Sequence, residues 1–442
     1  MAGLAKSLAP RTIRIGVTGL ARAGKTAFLT SVAANLLALG RGRPALSGVG
    51  ARLEGRPLSV TIAPAGASSL PRFDVAQHVA ALAEDPPAWP ARTDAASLLA
   101  LDLAIPRAGL ASSLPPQRVR LEFLDYPGEW LLDLPLLRSG FADWSEIVLR
   151  RLEAEPAATE FLAFAAALPA SAPADEGLAG TGHRLYRDLL RRLREQGLSL
   201  LQPGRFLMPP PGPEPAWMGF FPHRGSGGLH DLLAARYAAY ADAVRRDLSD
   251  PLFGNLDRLV VLVDLLSALH AGPAAFRDAS AALEAAAASL RWGRSWLETV
   301  LALTRLTWPP SVVSRVAFAA TKADHVADRQ RGNLAALLRS VAAPAVEVRA
   351  AYLPIAAVRC TEDIVWTLDG HPVSAVRGRP IGATQLARSY PGEVPDKPPD
   401  EAFWQHRFLA LPDFEPRRPP EGGGVPELGL DALLLFLLDD IL

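Results

Sequence analysis

The chain has 442 residues, enough for about two to three domains, with 46 basic residues balanced by 46 acidic ones. This neutrality offers no field for nucleic acid or an acidic membrane surface, so neither is expected as a partner. The single cysteine, Cys360, excludes an intrachain disulfide framework, and with no signal-like or membrane-length apolar run the expected setting is cytoplasmic.

In chain order, Ile13–Val17 alternates apolar and polar positions, which predicts a strand. Gly19-Leu20-Ala21-Arg22-Ala23-Gly24-Lys25-Thr26 follows with the spacing G-x-x-x-x-G-K-T. Phe28, Val32, Leu36 and Leu39 then trace an amphipathic helix. Strand, glycine loop and helix together form the context in which backbone N–H groups cradle phosphates. In that reading the residues from Gly19 to Ala27 surround the phosphates. Lys25 reaches the β- and γ-phosphates, and Thr26 offers its hydroxyl to Mg²⁺.

Strands are predicted near 58–62, 96–105 and 118–124, with a helix at 74–83. Asp125-Tyr126-Pro127-Gly128 follows the third of these. A carboxylate at a strand end suits a magnesium ion or its waters, and Gly128 can offer its N–H to a γ-phosphate. Such a loop orders when that phosphate is present. From 131 to 257 helical periods replace strand signals, as in Leu185, Leu189 and Leu193 with Arg184, Arg187, Arg191 and Arg194 around them. These arginines read as a solvated face.

Buried strands return at 259–263 and 312–320, with helices from about 274 to 303 between them. Thr321-Lys322-Ala323-Asp324 follows. Asp324 there can accept from the N1–H and 2-amino groups of guanine, a pair adenine lacks, with Lys322 over the base and Thr321 bracing the loops. A helix near 330–341 leads to a strand ending around Val358, and Val358 is counted with the nucleotide contacts. Residues 364–376 form a hairpin around Asp369-Gly370, and Pro372 is expected to confine its second strand to an edge. The apolar segment 430–442 is expected to pack on the core as a helix.

This linear order resembles the GTP-binding superfamily. More closely, Val17–Phe28, Asp125–Trp130, Gly197–Phe206 and Thr321–Val326 resemble the YcjX family of bacterial P-loop GTPases. The resemblance implies an α/β fold, a mainly parallel sheet flanked by helices with an inserted all-helical domain. Residues 10–130 and 255–377 would form the discontinuous nucleotide domain, 131–254 the insertion, and 378–442 a loop-rich end. It further implies GTP and GDP as ligands, hydrolysis of GTP, and a bacterial stress response beside a membrane-protein partner. The phosphate loop and the Asp125–Gly128 loop add magnesium and a nucleotide-dependent switch, and Glu129 adds slow turnover.

Two positions depart from the usual pattern. The residue after D-x-x-G is Glu129 where many GTPases carry a water-orienting glutamine. Whether Glu129 faces elsewhere or positions water stays open. The first switch has no clear match; Arg92 and Thr93 are the candidates, the arginine for transferred charge and the threonine for the magnesium shell. Asp264 competes with Asp125 as magnesium partner, and the superfamily order favours Asp125. His325 shows no metal-ligand companion in its spacing, and Cys360 no neighbouring base. The alternatives are a nucleotide-binding scaffold with negligible turnover and an ATP-using P-loop enzyme or kinase.

Overall fold

The computed structural model describes residues 11–19, 23–64, 70–91, 96–109, 112–209, 212–249, 256–285, 287, 313–342, 349–406, 408 and 411–442. The chain divides into two compact units. One comprises Met1–Tyr126, Leu256–Phe276 and Ser311–Leu442; the other comprises Pro127–Asn255 and Arg277–Pro310.

The first unit is built on a seven-stranded sheet of order β2-β3-β4-β1-β5-β6-β7. Its strands are β1 (Arg11–Gly19), β2 (Ser59–Ile62), β3 (Ser97–Ile105), β4 (Gln117–Asp125), β5 (Arg258–Val263), β6 (Arg315–Ala320) and β7 (Arg349–Pro354). β4, β1, β5, β6 and β7 run parallel, while β2–β3 and β3–β4 pair antiparallel. β5 and β6 are buried at every position, as strands covered on both faces must be. β3 buries alternate residues, so its Leu99, Leu101 and Leu103 enter the core.

The phosphate-loop helix α1 (Lys25–Gly40) is buried at ten of its positions, including Thr30, Ser31 and Asn35, rather than along one apolar stripe. Its buried polar side chains are satisfied locally: Thr30 Oγ1 donates to the Thr26 carbonyl at 2.8 Å, and Asn35 Nδ2 to the carbonyls of Ser31 and Val425 at 3.0 and 3.1 Å. That satisfaction lets a helix with polar residues on several sides be enclosed.

Further helices of this unit include α2 (Ser47–Arg52), α3 (Val75–Ala83), a helix over Asp328–Ala342 and the C-terminal apolar helix, introduced below. That last helix, Leu430–Leu438, inserts Leu430, Leu433, Leu434, Leu437 and Leu438 into the core. Its N-terminal Asp431 accepts from the Gly48 and Val49 N–H groups at 2.5 and 3.0 Å. At its other end Arg315 donates to the Phe436 carbonyl at 2.6 Å, and Arg258 holds Asp440 at 2.7 Å. An anion at the N-terminus and cations at the C-terminus complement the helix dipole.

A second sheet of order β10-β9-β8 follows, with β8 (Thr361–Leu368), β9 (His371–Gly378) and β10 (Ala387–Ser389). Here β9 is the central strand, not an edge. Pro372 is accommodated because it pairs only with Thr367, beyond the 376–378 stretch that β10 covers. The strand expected to run to Val358 stops at Pro354.

Among the described residues the second unit contains helices and no strand. The main ones are α4 (Phe141–Leu152), α5 (Thr159–Ala167), α6 (Glu176–Glu195) and α7 (Gly228–Val244). Phe161, Tyr186, Phe206, Phe220, Phe221, Tyr237 and Tyr240 form an aromatic core within it, mostly in edge-to-face contacts. Within that unit the Glu129 carboxylate pairs with Arg194 at 2.9 Å.

Candidate nucleotide site

β1 is the sheet's central strand, and its C-terminal end passes into the phosphate loop. A Cβ on Gly19 would lie 2.5 Å from the Leu262 carbonyl of β5, so the loop begins where only glycine fits. Gly24 sits at φ +80°, capping α1 in the left-handed conformation, and the Phe28 N–H donates to its carbonyl at 2.9 Å. Lys25 and Thr26 thus open the first turn of α1, both half-buried. Ala23 is enclosed, and Ala27 packs beside a small cluster of Ala34, Leu82, Val358 and Val425. Leu20, Ala21, Arg22, Arg92 and Thr93 lie outside the described residues.

Asp125 ends β4, opposite Val17 of β1 and Ser97 of β3. It is 2 % exposed, and its Oδ1 has no hydrogen-bond partner; the buried Ser97 hydroxyl has none either. Burial pushes the Asp125 carboxyl up to about 7, and the Lys25 charge pulls it partly back. An orphaned, desolvated carboxylate oxygen beside a lysine is the signature of a group built to face a cation or a bound ligand. With the Thr26 hydroxyl it offers an all-oxygen donor set, which fits a hard ion such as Mg²⁺.

The second recognition element forms after β6. Thr321 donates its N–H to the Val263 carbonyl at 2.9 Å, and Ala323 to Ile355 at 3.0 Å, tying this loop to β5 and to the end of β7. Lys322 adopts φ +58°, which turns its ammonium onto Asp264 Oδ2 at 2.6 Å. Asp264 also caps the helix α8 (Leu265–Ala271), accepting from the Ser267 N–H at 3.0 Å. Those partners occupy Asp264, whereas Asp125 has an open oxygen, so Asp125 remains the favoured cation ligand.

Asp324 is 1 % exposed. Its Oδ2 accepts from the Cys360 N–H at 2.6 Å and from the Cys360 thiol at 3.0 Å, and its carbonyl accepts from the Thr361 hydroxyl. His325 Nε2 lies 3.4 Å from the same thiol. Burial and the adjacent Asp324 push the Cys360 thiol up, while burial drives the His325 imidazole down. Two sequence expectations are therefore corrected: Cys360 has a histidine and a carboxylate beside it, and His325 has companions. The signal was absent from local spacing because Cys360 lies 36 residues beyond Asp324. Val358 is buried in the cluster that Ala27 abuts.

The chain crosses between units at Tyr126–Pro127. In the helical unit Gly128–Leu131 forms a single turn. Glu129 meets Arg194 there, so the α6 arginine face is not wholly solvated; Arg187 likewise holds Glu214 at 2.6 Å. Trp130 Nε1 donates to the Met208 carbonyl at 2.7 Å, and the Arg205 guanidinium lies 4.9 Å from its ring centroid. Asp133, fully buried, accepts from the Gly204 N–H at 2.6 Å and the Tyr240 hydroxyl at 2.5 Å. Burial raises its carboxyl to about 6 against those bonds. In the sequence Arg194 reads as part of a solvated face, and Asp133 carries no role.

A glycine loop between the central parallel strand and a helix, a mainly parallel sheet and an inserted set of helices define a P-loop GTPase-like α/β fold. The chain belongs to the YcjX-like family, DUF463, whose model matches residues 13–442. It is similar to the Ras-like GTPase YcjX of Escherichia coli, 33 % identical over 460 residues that cover 97 % of this chain and 96 % of the relative. It is also similar to the Ras-like GTPase YcjX of Shewanella oneidensis, 31 % identical over 98 % of this chain and 95 % of that relative. Among the described residues no helix is long and apolar enough to cross a membrane.

Proposed function

We propose that this chain binds GTP and GDP with magnesium, hydrolyses GTP slowly, and acts as a nucleotide-dependent switch. The observation that carries the reading is the pairing of a left-handed Gly24 and Lys25 at the mouth of α1 with the orphaned Asp125 oxygen. The names of the two relatives favour guanine over adenine, and so does a buried Asp324 after β6.

When bound, magnesium would neutralise charge on the β- and γ-phosphates. Asp125 and Thr26 are the residues proposed to hold it. Lys25 and the α1 N-terminus would bind the phosphate oxygens, and Asp324 would accept from the base. Glu129, already paired with Arg194, would be held away from positioning the attacking water, which is consistent with slow turnover. Three residues after Asp125 the chain becomes the Gly128–Leu131 turn of the helical unit, so ordering of that loop would pass on through covalent continuity. The stress-response setting belongs to the same proposal and rests on family resemblance alone.

Single-turnover hydrolysis of bound GTP by the wild-type chain and by Lys25→Ala tests the proposal, alongside competition of GTP and GDP against ATP. Slow phosphate release that falls at least about tenfold in the variant is expected, since the lysine charge is lost from the phosphates. Equal release by both proteins overturns hydrolysis at this site. Equal competition by ATP overturns the role of Asp324, and transfer of the γ-phosphoryl group to an added acceptor in place of phosphate release would identify a kinase.

A further inference from the structure

We propose that Asp324, His325 and Cys360 form a site for a thiophilic divalent cation of the Zn²⁺ class, and that its occupancy opposes binding of the nucleotide base. The second half of this inference rests on the reading of Asp324 as the base acceptor; the first half does not.

The three residues present one carboxylate oxygen, one imidazole nitrogen and one sulfur, all within 4.8 Å of one another and all buried. The Cys360 sulfur lies 3.0 Å from Asp324 Oδ2 and 3.4 Å from His325 Nε2. A tetrahedral zinc with bonds of about 2.0–2.3 Å separates its donors by roughly 3.3–3.8 Å, so the sulfur's separations from the oxygen and the nitrogen need change by only a few tenths of an ångström to admit the ion. Three protein donors leave a fourth position for water, the arrangement of an exchangeable rather than a closed structural site.

The donors are also pre-positioned. Asp324 and His325 share the turn Ala323–His325, and Cys360 directly precedes β8. The Thr361 hydroxyl donates to the Asp324 carbonyl, and the Ala323 N–H to the Ile355 carbonyl at 3.0 Å, fastening the two loops to each other. His325 Nδ1 has no hydrogen-bond partner, so the ring proton can reside there and leave the Nε2 lone pair toward Cys360. On binding, the Cys360 S–H bond breaks, its proton passes to solvent and the thiolate sulfur bonds to the cation. The donor set differs in kind from the oxygen-only pair Asp125 and Thr26, so magnesium and a softer ion would sort between the two places.

Asp324 couples them. A carboxylate oxygen bonded to a dication loses its capacity to accept from guanine N1–H and the 2-amino group, and the ion's charge repels those donors.

The test uses untagged, full-length, nucleotide-free protein titrated with Co²⁺ as a spectroscopic probe and with Zn²⁺. One cobalt per chain is expected, with a thiolate-to-cobalt charge-transfer band that Cys360→Ser abolishes. His325→Ala is expected to weaken Zn²⁺ at least about tenfold. X-ray absorption on the zinc-loaded wild-type chain should give one sulfur in the first shell, a readout that needs no variant to fold. Zn²⁺ should weaken binding of fluorescent GDP at least about tenfold in the wild type and not in Cys360→Ser. A first shell without sulfur, or a band that persists in Cys360→Ser, overturns the site. A cysteine-dependent band with unchanged GDP affinity overturns the antagonism alone. GDP against ADP on the metal-free chain then tests the base reading separately.

Discussion

Asp125→Asn is expected to stabilise the ligand-free protein above neutral pH while removing its response to magnesium and nucleotide. The wild-type carboxyl is 2 % exposed and is held at about 7 by burial. A carboxyl whose folded-state value lies above its ordinary one near 4 stabilises the fold fully only below about pH 4. That contribution is lost as pH rises through about 7. The whole displacement corresponds to about 4 kcal/mol, an upper bound because relaxation and water entry reduce it. Asparagine cannot ionise, so the variant's advantage should be near zero at pH 4, grow between pH 4 and 7, and level off above. Hydrogen exchange of the β1 and β4 amides across that range reads the nucleotide unit by itself, which matters because a chain with two units need not unfold in one step. With Mg²⁺–GDP at a hundred times its Kd the wild type should gain about 2.7 kcal/mol and the variant far less. A pH-independent difference, or a less stable asparagine variant at pH 8 without ligand, would refute the argument that this carboxylate is stored desolvated.

In Gly204→Ala the new Cβ would fall 1.9 Å from the Glu129 carbonyl oxygen, which is backbone and cannot yield cheaply. A loss of about 3 kcal/mol in unfolding of the helical unit is expected, and a change under about 0.5 kcal/mol would contradict the packing. Tyr240→Phe leaves Asp133 Oδ2 without its 2.5 Å donor, so about 1–3 kcal/mol should be lost in urea unfolding. The tyrosine lowers an Asp133 carboxyl that sits at about 6, so its removal raises that value further and the loss should grow as pH rises past 6. Glu129→Gln weakens the pairing with half-exposed Arg194, expected to cost about 1 kcal/mol by thermal unfolding and to leave GTP turnover within about twofold. A turnover gain of tenfold or more would instead put residue 129 at the γ-phosphate.

What the sequence made legible were the features whose cause is local. The alternation of Ile13, Ile15 and Val17 before a glycine loop, and the uninterrupted Leu259–Val263 run, follow from strand geometry and two-sided burial, and both strands form. The helix α1 reads as amphipathic from the spacing of Phe28, Val32, Leu36 and Leu39, with polar Thr30, Ser31 and Asn35 between them. It is enclosed because those groups bond within the helix and to Val425, a contact 390 residues away that no local period encodes. Pro372 suggested an edge by the correct rule about a missing donor, but the rule acts residue by residue, and β10 pairs only farther along β9.

The same distinction separates motif from site. G-x-x-x-x-G-K-T, D-x-x-G and T-K-x-D each lie within a few residues, so chemistry could be read from them directly. The partners that set their electrostatics do not. Asp324 is defined as much by Cys360 and Thr361, brought in by the turn from β7 to β8, as by its own motif. Glu129 could not be assigned a direction until α6 supplied Arg194, 65 positions later in the chain and apparently one of a set of solvent-facing arginines. A carboxylate's character depends on what desolvates it and what donates to it, and both are properties of the fold. This is why Asp125, with an unpaired buried oxygen, and Asp264, with a cap and an ion pair, look alike in sequence and differ in what each can bind.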